Sequence, residues 1–178
     1  MSAPTAPPTT TLYLDIDGCV GAEAFSRNPR EETGWAGEWH VRKVGPYQLR
    51  YSVELIEALK ELAALPGVTV VFASSWEDHA PEFLPVIVGL GERHWSSLDG
   101  VLGDGGESWW WKLNAIQEDA RARSMDRVLW VDDELAKIPE ARAAAEHLAP
   151  TALTIAPNPQ HGLTRVHIQA MRQFILTP

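Results

Sequence analysis

The chain has 178 residues, of which 45% are apolar and 22% charged, with eight tryptophans and a formal net charge of −9, a composition that supports one folded domain with a proper core. The acid excess argues against a protein that lives on the nucleic-acid backbone or on an anionic membrane, either of which needs a broad basic face. The single cysteine, Cys19, rules out an intrachain disulfide framework and fits a reducing compartment, so a cytoplasmic location is expected; nothing in the chain is long and apolar enough to span a bilayer.

Residues 1–10 are mostly Pro, Thr, Ala and Ser, without the positive start and apolar run of a signal peptide, and are expected to be a disordered tail. Structure begins at 11–20, TLYLDIDGCV, an apolar run with strand propensity that ends in Asp15, Asp17 and Gly18. Two acids at a strand end are costly to bury without a cation. Alternation along an extended chain puts Asp15 and Asp17 on one side, and Gly18 lets the chain turn sharply away, an arrangement that suits a divalent metal and a phosphate. Read alone, the same residues are a strand end with a solvated turn. Residues 21–50 have no sustained helical period; within this stretch GEWHVRKV and YQLRYS flank Gly45 and Pro46 and predict a β-hairpin. Ser52 then caps a helix in which Leu55, Ile56, Leu59, Leu62 and Ala63 recur at helical spacing until Pro66 and Gly67 stop it.

VTVVFAS, 68–74, does not alternate and predicts a strand buried on both faces. A helix over 77–90 follows, with Pro81 near its first turn. The glycine-rich stretch 91–108 predicts one short strand over 94–97 and a long loop, and Ser108 caps a helix over 109–123 with Leu113, Ile116 and Ala120 on one face. RVLWVDD, 127–133, is another buried strand ending in two acids; 139–148 reads as alanine-rich helix, 152–155 as a short strand, and Thr164 caps a last helix ending near Ile175. This alternation predicts an α/β architecture: a Rossmann-like, doubly wound, mainly parallel sheet with helices on both faces. One domain is expected over 11–178, with 19–50 as a small cap or β-hairpin flap inserted after the first strand.

Ligands of such sheets bind at the carboxyl ends of the strands, and four features gather there. Asp15 and Asp17 follow the first strand, Ser74 and Ser75 the second, Lys112 opens a helix, and Asp132 with Asp133 follow a later strand. The serines alone would be helix caps, but beside a metal and an anion their hydroxyls and the free N–H groups of a helix start would bind phosphate oxygens. A lysine in a first helical turn opposes the helix dipole, and a nearby anion explains its placement. Adjacent acids after VLWV stand where hard-cation ligands are wanted.

LYLDIDG, VVFAS, Lys112 and VLWVDDE, in this order and strand context, resemble the four motifs of the haloacid dehalogenase (HAD) superfamily of phosphotransferases, over residues 11–156. More narrowly, SSWEDHA, WWWKLNAI, VDDEL and the late HGLT resemble the small HAD domains associated with RNA repair proteins; here Ser74 and Ser75 stand where threonine is expected. The resemblance implies a Mg²⁺-dependent phosphatase that hydrolyses a phosphomonoester. Mg²⁺ would lie between Asp15, the main-chain carbonyl of Asp17 and Asp132, with Asp133 supporting it through water. Asp15 would attack phosphorus and form an aspartyl phosphate, Asp17 would serve as acid and then base, and Ser74 or Ser75 with Lys112 would hold the phosphate oxygens. An acid at Asp17 favours phosphate release over dehalogenation.

The substrate class this implies is a phosphorylated small molecule, a nucleotide or a nucleic-acid end, without membrane association or strong sequence-specific nucleic-acid binding. A cap as small as 19–50 leaves the site open to bulky substrates. Trp35, Trp39, Trp76 and the run Trp109, Trp110 and Trp111 are candidate stacking surfaces, with packing as the plainer role. Two other classes compete: a phosphoacceptor receiver domain, whose acids come in a different order along the chain, and a non-catalytic HAD-like protein that holds a phospholigand or regulates a partner.

Overall fold

The apolar runs at 10–14 and 127–131 become the middle of a parallel sheet. A computed structural model describes residues 9–23, 29–91, 95–98, 108–123 and 125–177, with backbone only at 108–110. In chain order the elements are β1 (Thr10–Leu14), α1 (Pro29–Thr33), β2 (Trp39–Val44), β3 (Tyr47–Ser52), α2 (Val53–Ala63), β4 (Val68–Phe72), α3 (His79–Ile87), β5 (Ser96–Ser97), α4 (Ser108–Arg123), β6 (Arg127–Val131), a 3-10 turn (Asp133–Ala136), α5 (Pro139–Ala145), β7 (Thr151–Ile155) and α6 (Arg165–Leu176). The five-stranded sheet runs β5-β4-β1-β6-β7, all pairs parallel, with Leu12 opposite Val70 on one side and Leu129 on the other. Among the described residues no helix is long and apolar enough to cross a membrane.

Every residue of β1 and β6 is buried, because each is paired on both edges and covered on both faces. Alternation divides their side chains between two cores. Leu12, Leu14, Phe72, Leu129 and Val131 face one, filled by Leu55, Ile56, Leu59 and Leu62 of α2 and by Ile168, Met171 and Ile175 of α6. Tyr13, Val71, Val128 and Trp130 face the other, filled by Leu113, Ile116 and Ala120 of α4 and by Ala141 and Ala145 of α5. This is the expected doubly wound α/β arrangement. The chain leaves β1 for β4 on one side and returns to β6 on the other, so the order reverses at β1, where a crevice opens beyond the strand ends.

The hairpin predicted around Gly45 and Pro46 forms from β2 and β3, with Val44 paired to Tyr47. One face of it is anchored, since Val44, Leu49 and Tyr51 are buried in the first core. Other expectations shift in detail. Ser52 holds the N-cap position of α2, but it is also the last residue of β3 and its hydroxyl makes no cap hydrogen bond. The helix expected over 77–90 is shorter, because tight turns from the Glu77 amide to the Ser74 carbonyl and from the His79 amide to the Trp76 carbonyl delay its start. At its end the amides of Val88, Gly89 and Leu90 all converge on the Leu84 carbonyl, which closes the helix. Likewise α5 stops at Ala145, where single-turn bonds to Ala144 and Ala145 replace the helical ladder. Thr164 caps α6 as expected, in a box completed by His167. The tail at 1–8, residues 92–94 and 99–107 of the glycine-rich stretch and the Ser108 cap lie outside the described residues.

Candidate active site

Sheet hydrogen bonding continues one residue past β1 and β6: the Asp15 amide donates to the Val131 carbonyl and the Asp132 amide to the Ile155 carbonyl. Both carboxylates therefore start from strands that are paired on both edges. Lys112 reaches in from α4 and its ammonium donates to Asp15 Oδ2 at 2.9 Å and to Asp132 Oδ2 at 2.8 Å, all three side chains being buried. The other Asp15 oxygen accepts from the Ile16 amide at 2.8 Å, and Asp132 Oδ1 caps the 3-10 turn by accepting from the Glu134 amide at 3.0 Å. Glu134 extends the same charge network, 3.9 Å from the lysine nitrogen.

Charge is crowded here. Burial pushes the Asp15 carboxyl up to about 7, the Lys112 charge opposing and the Asp132 charge adding to it. Burial likewise raises Asp133, to about 6, with Asp132 contributing and Lys137, 3.8 Å away, holding it back. Burial also works against the Lys112 ammonium, but the two carboxylates beside it outweigh that and raise its pKa. Three acids with one buried lysine among them form a cluster that a further cation would relieve.

Oxygens of Asp15 and Asp133 lie with the Cys19 sulfur within 4.8 Å of one another. The two carboxylates are hard donors that fit a divalent cation. Burial raises the thiol pKa further above its ordinary value, so Cys19 stays protonated and serves as a fully buried, packed residue. Asp132, the other expected ligand, is engaged by Lys112 and the Glu134 amide. Gly18 makes the approach of Asp133 possible: it has φ +70, and a Cβ there would lie 2.7 Å from the Asp133 carboxyl carbon.

A cavity of about 180 Å³ opens over these groups, lined by Asp15, Asp17, Ser75, Lys112 and Asp133 among others. Ser75 is exposed at its edge. Ser74 is buried, and its hydroxyl accepts from the Trp76 amide at 3.5 Å. Asp17 is exposed, and its Oδ2 accepts from the Trp76 indole N–H at 2.7 Å. The indole is fully buried and stacks on Tyr47 of the hairpin, with ring centres 4.3 Å apart and planes inclined by 14°.

A profile of the HAD domain found in Swiss Army Knife RNA repair proteins matches residues 11–168. The chain belongs to this family. No curated protein and no solved structure matches it.

Several residues that shape the HAD site carry weaker signals in the sequence. Trp76 reads as a packing or stacking residue, and only the fold brings it to Asp17. Glu134 and Lys137 also line the cavity; their signal is the DDELAK run, in which Lys137 stands one helical turn beyond Asp133. The HGLT segment of the HAD domain clasps the loop after β1. The Leu163 amide donates to the Cys19 carbonyl at 2.8 Å, and the Trp35 indole N–H donates to the Leu163 carbonyl at 2.8 Å. Gly162 has φ +69, and a Cβ there would come within 2.7 Å of the Cys19 carbonyl oxygen, so no larger residue allows this approach. Trp35 is thus a buried packing residue, Trp76 is buried and also holds Asp17, and the Trp109 and Trp110 side chains lie outside the described residues.

Proposed function

We propose that this HAD domain is a Mg²⁺-dependent phosphomonoesterase that works through an aspartyl phosphate on Asp15 and acts on a phosphate-terminated nucleic acid or nucleotide. One observation carries the reading: a buried carboxylate, a buried lysine and a second, exposed carboxylate two residues along the chain share one cavity. The first suits a nucleophile, the second an anion clamp and the third proton transfer to a leaving group.

Asp15, held by the Ile16 amide and Lys112, attacks phosphorus, and the bond from phosphorus to the ester oxygen breaks. Asp17 gives its proton to that oxygen as it leaves. Asp17 then takes a proton from the incoming water, whose oxygen displaces Asp15 and releases inorganic phosphate. Lys112 and the Ser75 hydroxyl, with Ser74 behind it, hold phosphate oxygens as charge shifts during each displacement. Asp15, the Asp17 main-chain carbonyl and Asp132, with Asp133 beside them, would hold Mg²⁺, which would supply the positive charge that lets a carboxylate approach a phosphate dianion. The RNA-repair description of the family supports a nucleic-acid terminus as the substrate, and the lone buried Cys19 agrees with work in the cytoplasm.

The deciding experiment is phosphate release from an aryl phosphate with and without Mg²⁺, for the wild type and a folded Asp15→Asn variant. Turnover that needs Mg²⁺ and disappears in the variant is expected. If a panel of aryl, sugar, nucleotide and RNA-terminal phosphates all stay intact while the protein binds Mg²⁺, the site is a phospholigand-binding one and the enzymatic reading fails.

A further inference from the structure

Next to the cavity over Asp15 lies a larger groove of about 350 Å³, between the loop bearing Asp17 and Glu23 and the hairpin residues Val41, Gln48 and Arg50. The two spaces share Asp17 and Glu23 as lining residues, so they adjoin at the residue assigned above as the proton donor. The hairpin wall is fixed against the loop, because the Ala22 amide donates to the Arg50 carbonyl at 2.9 Å.

The register of the hairpin decides what this wall presents. Val41 pairs with Arg50 and Lys43 with Gln48, so these four side chains share one face. On the opposite face Val44, Leu49 and Tyr51 are buried and Arg42 is exposed. Residues 39–52 contain Arg42, Lys43 and Arg50 and no acid, in a chain with 24 acids against 15 lysines and arginines. Of these, Lys43 and Arg50 share the face that carries the groove wall, and Arg50 lines the groove opposite the carboxylates of Asp17 and Glu23. A guanidinium pairs with a phosphodiester through two parallel hydrogen bonds, and carboxylate and amide groups such as Glu23 and Gln48 suit sugar hydroxyls.

We infer that this groove is a leaving-group subsite for a nucleic-acid strand, in which the esterified sugar passes Asp17 beside Glu23 and Gln48 and the next phosphodiester meets Arg50 and Lys43. The inference rests on the phosphomonoesterase reading above and adds a specificity to it: a strand with a terminal phosphate is preferred to a mononucleotide, which has no second phosphate to offer.

The test compares kcat/KM for 5′- and 3′-phosphorylated RNA trinucleotides with that for an aryl phosphate, in the wild type and an Arg50→Gln, Lys43→Gln double variant. The ratio of trinucleotide to aryl phosphate should fall at least tenfold for one of the two ends. The logarithmic dependence of that kcat/KM on salt should flatten by roughly 0.7 per lost cation. Arg50→Lys retains the charge and should recover part of the ratio, which separates lost recognition from misfolding. A ratio unchanged for both ends overturns the subsite. Should no phosphate ester turn over at all, the proposed chemistry fails, and binding of a labelled, phosphorylated trinucleotide to the wild type at low salt decides the groove. Binding lost in the double variant supports the subsite; no binding, or binding equal in both proteins, overturns it.

Discussion

The Trp76 indole N–H donates to Asp17 Oδ2 at 2.7 Å, so the exposed carboxylate at the mouth of the cavity is held by a ring that is itself fully buried. On the proposed mechanism this bond leaves Asp17 Oδ1 as the oxygen that would exchange a proton with a leaving group. Trp76→Phe keeps a ring for the Tyr47 stack and removes the donor. A hydrogen bond to a charged group contributes about 1.5–3 kcal/mol, so kcat should fall roughly tenfold or more, with a smaller change in KM. The loss should be larger for an alkyl phosphate, whose leaving oxygen needs a proton, than for a nitrophenyl phosphate, which does not. Equal losses on both substrates would show Trp76 to be structural only.

Lys112 balances Asp15 and Asp132 from within the core. Lys112→Met leaves two buried carboxylates facing each other, a change that costs about 3–5 kcal/mol. At two to four degrees per kcal/mol for a chain of this size, the melting temperature should fall by roughly ten degrees. Because the deficit is one of positive charge, Mg²⁺ should raise the melting temperature of the variant more than that of the wild type. Calorimetry of both proteins with and without Mg²⁺ checks this; equal metal shifts would count against a cation site at the acids.

His167 links α6 to pH. Burial lowers its pKa from the ordinary 6.5, and its Nδ1 accepts from the Thr164 amide at 3.1 Å in the capping box, which requires the neutral ring. The unfolded chain therefore binds a proton at a higher pH than the folded one. This contribution is complete above about pH 6.5, falls as pH drops through that value and levels off below the folded pKa. His167→Gln retains an acceptor without titrating. The difference in melting temperature between wild type and variant should move in favour of the variant on going from pH 7.5 to 5.5, and a constant difference would remove His167 from the pH response.

Gly162 is the tightest point of the clasp on the loop after β1. Gly162→Ala adds a strained φ and a contact of 2.7 Å with a backbone oxygen, costing about 1–3 kcal/mol. Stability should drop by several degrees. Since the same loop carries Asp17 and Gly18, kcat should fall with it, while a change at exposed Val166 should leave both within error.

Much of this was legible in the order of residues. The buried strands were readable because runs such as VTVVF and RVLWV contain no polar alternation, and their acidic ends stood out because apolar neighbours give a carboxylate no local reason to be there. The hairpin was legible from its turn. What stayed hidden depends on contacts distant in sequence. Nothing local to Trp76 announces Asp17, 59 positions earlier, and which of two adjacent serines lines the cavity depends on how the turn after β4 seats the tryptophan between them and α3. The same holds for the His167 half of the capping box and for Cys19, whose carbonyl rather than its thiol anchors the late HGLT segment. Helix ends were the other weak point, since α3 and α5 stop at local turns that composition does not mark.

Asp15 continues the central strand of the sheet, whereas Asp17, two residues on, is held only by a side chain and a loop. The two halves of the site therefore sit on parts of the molecule with different capacities for change. On the proposed mechanism, substitutions in the hairpin or around Trp76 can retune which molecules enter and how readily a leaving group is protonated, while Asp15 stays fixed at the end of β1 and paired with Lys112 from α4. A lineage built on this scaffold can diversify its substrates by drift in one half and keep a constant reaction in the other.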